Sequence, residues 1–487
     1  VKPNFLIFCV DQMQSFCLGC NGHSMVRTPN IDAIAADGIT FTRTYCNNPV
    51  CMPSRGSLIT GLTPRQHGLR SNGCPLPTTV PTITQALANA GYRTHAAGKL
   101  HLQPWGGMGR IVGFASNEGE PEWNDRAVEK LPLPYYGFQS VDYARWLDKH
   151  QPGVRKLYRP ENAYHSSGRA YRMNVPVELH YNNWIADRSI AFLEQLRDGE
   201  NFFLWCSFPD PHFPFAATRP YSELYPPGDV SLPPNWPEQN DLCPALKARR
   251  ATAHGLEARD EAEMREMIAQ TFGMITHIDD NVGRVMAAVR ARNFDTNTIV
   301  VFLSDHGEYL GSHHLIAKGA WAWEELVRVP YVWRVPGAKP DRRAPVEPVS
   351  LLDFVPTIAD YAGVDPAFFD TSGMAGNRFG MPGRSLRPFF ENKPAAANRE
   401  PILEFDENFS ADAPPCRMRG IVDGDFKLVI WSGYDEGLLV NVANDPAETR
   451  NLWNEPGLQT RKAEMLARLV DRLAQSDRFD TKRISGT

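Results

Sequence analysis

Phe5-Leu-Ile-Phe-Cys-Val10 is apolar throughout and stops at Asp11, which predicts a strand buried on both faces. Asn201-Phe-Phe-Leu-Trp-Cys-Ser207 and Thr298-Ile-Val-Val-Phe-Leu303 have the same character, and the second runs into Ser304-Asp305-His306. Between them the period changes. Met264, Ile268, Phe272, Ile275, Ile278, Val282, Val285 and Val289 recur at three or four residues, the mark of a long amphipathic helix. Thr28-Pro29, followed by Ile31, Ile34 and Ala35 and stopped at Gly38, predicts a helix with a cap, a first-turn proline and a terminal glycine. Thr82 to Ala90, closed by Gly91, predicts another, with a short strand over Arg93–Ala97 behind it. Strands alternating with helices imply an α/β protein whose large, mostly parallel sheet is sandwiched by helices.

Asp11, Asp305 and His306 stand just past the carboxyl ends of predicted strands. Open α/β sheets place their ligands at that edge. Residues far apart in sequence can therefore meet in one pocket.

Two regions break the pattern. Residues 103–180 have weak periodicity, many charges, and Trp105, Trp123, Tyr135, Tyr136 and Trp146, and read as long inserted substrate loops. Past about residue 395, Ile421 to Trp431 and Leu438 to Val442 look like meander strands, followed by a terminal helix from Thr460 to Ser476. The expected organisation is a catalytic α/β domain over 1–394 and a small α+β domain over 395–487 with antiparallel strands and a terminal helix.

Composition narrows the function. Of 487 residues, 42% are hydrophobic and 22% charged, ample for a buried core. The net charge of −5 gives no global reason to bind nucleic acid or an anionic membrane, so attraction for an anion must come from a local cluster of cations. No apolar run approaches the roughly twenty residues of a membrane span. A signal peptide is not visible, and nine dispersed cysteines suit a reducing compartment, so a prokaryotic cytoplasm is the expected setting. Cys17-Leu-Gly-Cys20 lacks the second pair that a structural zinc site needs.

The sharpest chemical signal is Cys51-Met-Pro-Ser-Arg55-Gly-Ser-Leu58-Ile-Thr60-Gly61. Pro53 suits the first turn of a helix, which would set Cys51 at a helix N-terminus, where an anion is favoured. Cysteine, proline, serine and arginine at these offsets would arise by chance in about one chain per thousand of this length. The segment resembles the sulfatase signature C-x-P-S-R-x-x-L-x-T-G of the alkaline phosphatase superfamily. Further matches follow in order: Asp11 to Gly22, Gly98-Lys99-Leu100-His101-Leu102, Pro211-His212, Ser304-Asp305-His306-Gly307-Glu308 with Gly311, His313 and Lys318, Leu352 to Thr357, and Asn444-Asp445-Pro446-Ala447-Glu448. Gln12 stands where many sulfatases have aspartate, and His306 where many have asparagine. Both resemble the phosphonate monoester hydrolase branch, whereas Lys99 and His101 are the sulfatase pair.

The resemblance implies an alkaline phosphatase-like fold and a cysteine oxidised to formylglycine, whose hydrate, a geminal diol beside one divalent cation, is the nucleophile. The implied metal ligands are Asp11, Gln12, Cys51, Asp305 and His306. Carboxylates with an imidazole accept calcium and lean toward manganese. Arg55 and Lys318 are implied to neutralise and hold anion and nucleophile. Lys99 and His212 would bind ester oxygens or protonate the leaving alkoxide, His101 would deprotonate the second hydroxyl, and Asn72 would lie close to the substrate. The implied reaction is hydrolysis of a small organic sulfate monoester, aryl sulfate foremost, with phosphonate monoesters and phosphodiesters as side substrates. A phosphonate monoester hydrolase or phosphodiesterase with sulfatase side activity is the alternative, and a non-catalytic binding protein on the same fold a remote one. The implied partners are a formylglycine-generating maturation enzyme and further copies of the chain in a homo-oligomer.

Overall fold

The structure is a computed structural model. It describes residues 2–102, 116–118, 141–159, 163, 165–167, 169–236, 241–251, 260–338, 345, 347–369, 381–394, 400–407 and 416–476. The central sheet has seven strands. From one edge to the other they are Ile39–Thr40, Tyr331–Arg334, Thr298–Ser304, Asn4–Val10, Phe202–Ser207, Arg93–Gly98 and Ser116–Glu118. The last five are mutually parallel, and only the first two run antiparallel to their neighbours.

The apolar runs behave as fully buried strands because each feeds two cores. Along Asn4–Val10, Phe5, Ile7 and Cys9 enter one cluster with Leu58, Leu87, Phe354 and Ile358. Leu6, Phe8 and Val10 enter the other, with Ile185, Ile268, Ile275 and Val282. The helix read from the 264–289 periodicity spans Glu261–Ala291 and covers this second face together with Tyr181–Glu194 and Pro29–Ala36. Ile83–Asn89 begins with a reciprocal capping box between Thr82 and Gln85. Thr28 differs. Its hydroxyl makes no cap bond, but donates to Asp32 in the first turn of the helix and accepts from the Gly19 amide.

Register brings chemistry to one edge. Val10 pairs with Ser304, and both Cys9 and Gly98 pair with Ser207, so the strands end level with one another. Asp11, Lys99, Phe208 and Asp305 therefore begin their loops side by side. Gly98 permits this: its φ is +95°, and a Cβ there would fall 1.9 Å from the Ser207 carbonyl oxygen.

Within 103–180, residues 103–115 and 119–140, with Trp105, Trp123, Tyr135 and Tyr136, lie outside the described residues. The described remainder corrects the expectation of loops. It contains a helix, Val141–His150, and the paired strands His165–Ser167 and Ala170–Met173. Tyr143, Leu147 and Tyr171 anchor it to the core, a packing that weak periodicity concealed.

The C-terminal strands Ile402–Glu407, Cys416–Asp423, Phe426–Trp431 and Leu438–Asn441 form an antiparallel sheet, and Gln459–Gln475 is the terminal helix. Ile421, Leu428 and Leu439 pack against Met465 and Leu469 of that helix, while Leu403, Met418, Val429 and Leu438 join the main core. The expected boundary at 394 falls beside residues 395–399, which are outside the described residues. None of the nine cysteines forms a disulfide, Cys17 and Cys20 included. Among the described residues no helix is long and apolar enough to cross a membrane.

Candidate active site

Cys51 is the first residue of the helix Cys51–Thr60, with Val50 as its extended cap, and is 1% exposed. Its Sγ lies 3.6 Å from Asp11 Oδ1, 3.1 Å from His306 Nε2 and 2.8 Å from Lys318 Nζ. Burial and the Asp11 carboxylate push its thiol pKa up, but the cations of Lys318 and Lys99 outweigh them and leave it below the ordinary thiol value.

Arg55, one turn along the same helix, points inward. Its Nε is 2.7 Å from Asp305 Oδ2, and its Nη2 is 2.9 Å from Asp11 Oδ2. Its Nη1 donates to the Lys99 carbonyl and the Ser207 hydroxyl. One guanidinium thus joins the ends of four strands. The family resemblance implies that Arg55 serves the substrate anion; the geometry places it on the two carboxylates. Lys99 Nζ lies 2.7 Å from Asp11 Oδ2. Burial would raise the Asp11 pKa, yet Lys99 and Arg55 hold it well below the usual carboxylate range.

Asp11, Cys51, Asp305 and His306 each offer one ligand atom, and these atoms lie within 4.8 Å of one another. His306 Nδ1 donates to the Gly307 carbonyl, which turns Nε2 toward the cluster. The Lys318 ammonium sits among the same donors, 2.9 Å from Gln12 Oε1 and 3.4 Å from His306 Nε2, as a built-in cation. Two carboxylate oxygens, an amide oxygen and an imidazole nitrogen fit a divalent ion.

His212 donates from Nδ1 to the Phe213 carbonyl and lies 2.8 Å from Lys318 Nζ through Nε2. Burial, then Lys318, keeps its pKa well below the ordinary value. His101 is 5% exposed with a φ of +56°, and burial and Lys99 likewise hold it neutral. Asn72 reaches the site from a loop, where its Oδ1 accepts the Met52 amide in the first turn of the Cys51 helix. All eleven residues singled out in the sequence thus gather at this strand edge, on the helix end facing it or in loops beside them.

Three residues near them are given no role in the site by the sequence. Ser207 receives Arg55 at a strand end. Asp210 accepts from Tyr181 and Asn182 beside the His212 turn, and its carbonyl accepts the Asp11 amide. Glu308 accepts the side-chain amide of Gln12. Strand-end position is the available signal for Ser207 and the matched segment Ser304 to Glu308 for Glu308; for Asp210 the signal lies in tertiary contacts.

Residues 3–364 match the family model described as Sulfatase, and residues 311–475 match one described as N-sulphoglucosamine sulphohydrolase, C-terminal. The chain is 29% identical over 463 residues to an arylsulfatase of Clostridium perfringens, covering 93% of this chain and 91% of that protein. It is 28% identical over 525 residues to a multifunctional alkaline phosphatase superfamily protein of Trinickia caryophylli, covering 98% and 96%. Among solved structures, the phosphonate monoester hydrolase of Agrobacterium radiobacter superposes with a TM-score of 0.80 at 24% identity, covering 98% of this chain and 96% of that one. The fold is accordingly alkaline phosphatase-like.

Proposed function

The chain belongs to the sulfatase family and is a sulfuric ester hydrolase, and from that premise we propose that it hydrolyses organic sulfate monoesters of the aryl sulfate type, using formylglycine made from Cys51 beside one divalent ion, calcium or manganese. The observation that carries this reading is the seat of Cys51: a buried helix N-terminus, with Asp11, His306 and Lys318 within 3.6 Å of its sulfur. When present, aldehyde hydrate and cation together supply a geminal diol with one acidified hydroxyl to attack sulfur and a second to expel sulfate.

The chain's own side chains do the rest. Arg55 fixes the carboxylates of Asp11 and Asp305, so their charge stays aimed at the cation. Lys318, in contact with Cys51 and His212, holds the nucleophile and the ester anion. Lys99 and His212 bind ester oxygens and stabilise the departing alkoxide. His101, uncharged at working pH, accepts the proton of the second hydroxyl. Asn72, hydrogen-bonded to the first turn of the Cys51 helix, borders the substrate.

A second reading, in which phosphonate monoesters or phosphodiesters are the main substrates, is favoured by Gln12 and His306. These side chains leave two carboxylates around the ion, and both substrate classes share the single negative charge of a sulfate monoester. The sulfatase pair Lys99 and His101 places sulfate first.

Peptide mass spectrometry of enzyme active on a chromogenic aryl sulfate tests the reading. An aldehyde or its hydrate at Cys51 is expected in a substantial fraction of chains. Only thiol at that position in fully active enzyme would overturn it.

A further inference from the structure

Gln12 has a φ of +64°, in the left-handed region where side chains other than glycine are uncommon, and its backbone amide donates to Asp305 Oδ1. The backbone therefore fixes where this side chain starts, but not which end of its amide faces the cation cluster. An amide's oxygen and nitrogen are nearly equal in shape and opposite in function: the oxygen can bind a cation or accept from Lys318, and the NH2 can do neither.

Two partners make the choice from opposite sides: Lys318, which only donates, meets the oxygen, and Glu308 meets the NH2. The Glu308 side chain is 2% exposed, and the two oxygens are divided between two tasks. Oε2 accepts the Gln12 Nε2 amide. Oε1 accepts the backbone amides of Leu310 and of Ala317, the residue before Lys318. With Oε1 of Glu308 taken up by two backbone amides, its Oε2 faces the Gln12 NH2, and the Gln12 Oε1 faces the cluster, where Lys318, which can only donate, meets it at 2.9 Å. We infer that Glu308 is a positioning residue that sets the Gln12 amide with its oxygen toward the cation and, through Ala317, anchors the turn that carries Lys318. The inference rests on the cation-dependent reading of the site. It deepens that reading by giving Gln12 and Glu308 as a matched donor–acceptor pair.

A bland alternative is that Glu308 only fastens its own loop through Leu310 and Ala317. The isosteric variant Glu308→Gln separates the two, because its carbonyl can still accept both backbone amides. Its NH2 would then meet the NH2 of Gln12 and favour the flipped amide.

The test is calorimetric titration of Mn2+, and separately Ca2+, into the chelator-treated full chain, using wild type, Glu308→Gln, Gln12→Ala and the double variant. Loss of the Glu308 charge alone weakens cation binding by the same factor in both backgrounds. Orientation adds a further loss that exists only where Gln12 is present. The expected result is a weakening of about 10–100-fold by Glu308→Gln when Gln12 is intact, the range typical of lost outer-shell partners, shrinking to about threefold or less in the Gln12→Ala background. Equal factors in the two backgrounds would overturn the inference. If Glu308→Gln does not accumulate as folded protein, Glu308→Asp, which keeps the charge and shortens the reach, is put through the same cycle with the same criterion. Because binding is read without turnover, equal factors in an active sulfatase sink this inference alone. A cation site with the expected coupling but no esterase activity would sink the functional reading instead.

Discussion

Lys318 Nζ lies 2.8 Å from Cys51 Sγ, although 267 residues separate them in the chain. The ammonium also meets His212 Nε2 and Gln12 Oε1, so one cation touches three residues to which we assign the nucleophile, the leaving-group side and a cation-site donor. Replacing Lys318 with Met should lower kcat/KM on an aryl sulfate by 100-fold or more, on the order of 3 kcal/mol of transition-state stabilisation. Steady-state kinetics checks this. A loss under threefold would remove Lys318 from the reaction.

Arg55 is fully buried between Asp11 and Asp305 and donates a hydrogen bond to each, at 2.9 and 2.7 Å, whereas His306 Nε2 stands 3.9 Å from both. Truncation to Leu leaves the pair of buried carboxylates without their shared counter-charge. Breaking a buried ion pair costs about 3–5 kcal/mol. We expect a loss of unfolding free energy of that size for Arg55→Leu, partly reversed by added calcium or manganese, which can neutralise the same carboxylates. Chemical denaturation with and without the ion measures both effects. An unchanged midpoint would mean that Arg55 does not organise the carboxylates.

Asp210 offers a pH test on a carboxyl that is not itself a cation ligand. Burial raises its pKa to about 7, against hydrogen bonds from Tyr181 and Asn182 that lower it. A carboxyl with a raised folded-state pKa binds more protons folded than unfolded. Its stabilising contribution is complete below about pH 4 and is lost as pH rises toward 7, at up to about 1.4 kcal/mol per pH unit. Asp210→Asn should flatten stability between pH 5 and 7 relative to wild type. Urea midpoints across that range decide it; parallel curves would show that Asp210 does not titrate there.

The strand runs and the long helix are legible in the sequence because each side chain on them is buried by its own period. Strand-end position makes Asp11, Asp305 and His306 legible at one edge, whereas Cys51, Arg55, Lys99, His101, His212 and Lys318 are legible through the resemblance to the sulfatase signature. What the sequence hides is the direction in which side chains spend their hydrogen bonds. Nothing local to Arg55 says that its donors go to Asp11 and Asp305, or that Glu308 reaches back 296 residues to Gln12. The helix Val141–His150 is hidden because few of its positions, Tyr143 and Leu147 chief among them, are held in the core.

Cys51→Ser keeps a hydroxyl at the helix N-terminus but not the second one. The covalent ester would form and have no hemiacetal collapse by which to leave. A single-turnover burst of alcohol with little further release is expected on an aryl sulfate, along with a sulfated peptide containing position 51. Sustained turnover close to that of wild type would contradict the two-hydroxyl account.

The cationic site discriminates among esters by their charge and leaving group. Arg55, Lys99 and Lys318 gather around the two carboxylates and the ion they would hold. On charge alone that arrangement does not disfavour a dianion; the family resemblance places monoanionic esters with a leaving alkoxide first, and Lys99 with His101 tips the order toward sulfate. The direct measurement is kcat/KM for an aryl sulfate, a phosphonate monoester, a phosphodiester and a phosphate monoester that share one leaving group, on formylglycine-bearing enzyme. We expect aryl sulfate first, phosphonate monoester and phosphodiester next, and phosphate monoester far behind. A phosphonate monoester turned over well while the sulfate is slow would contradict the claim.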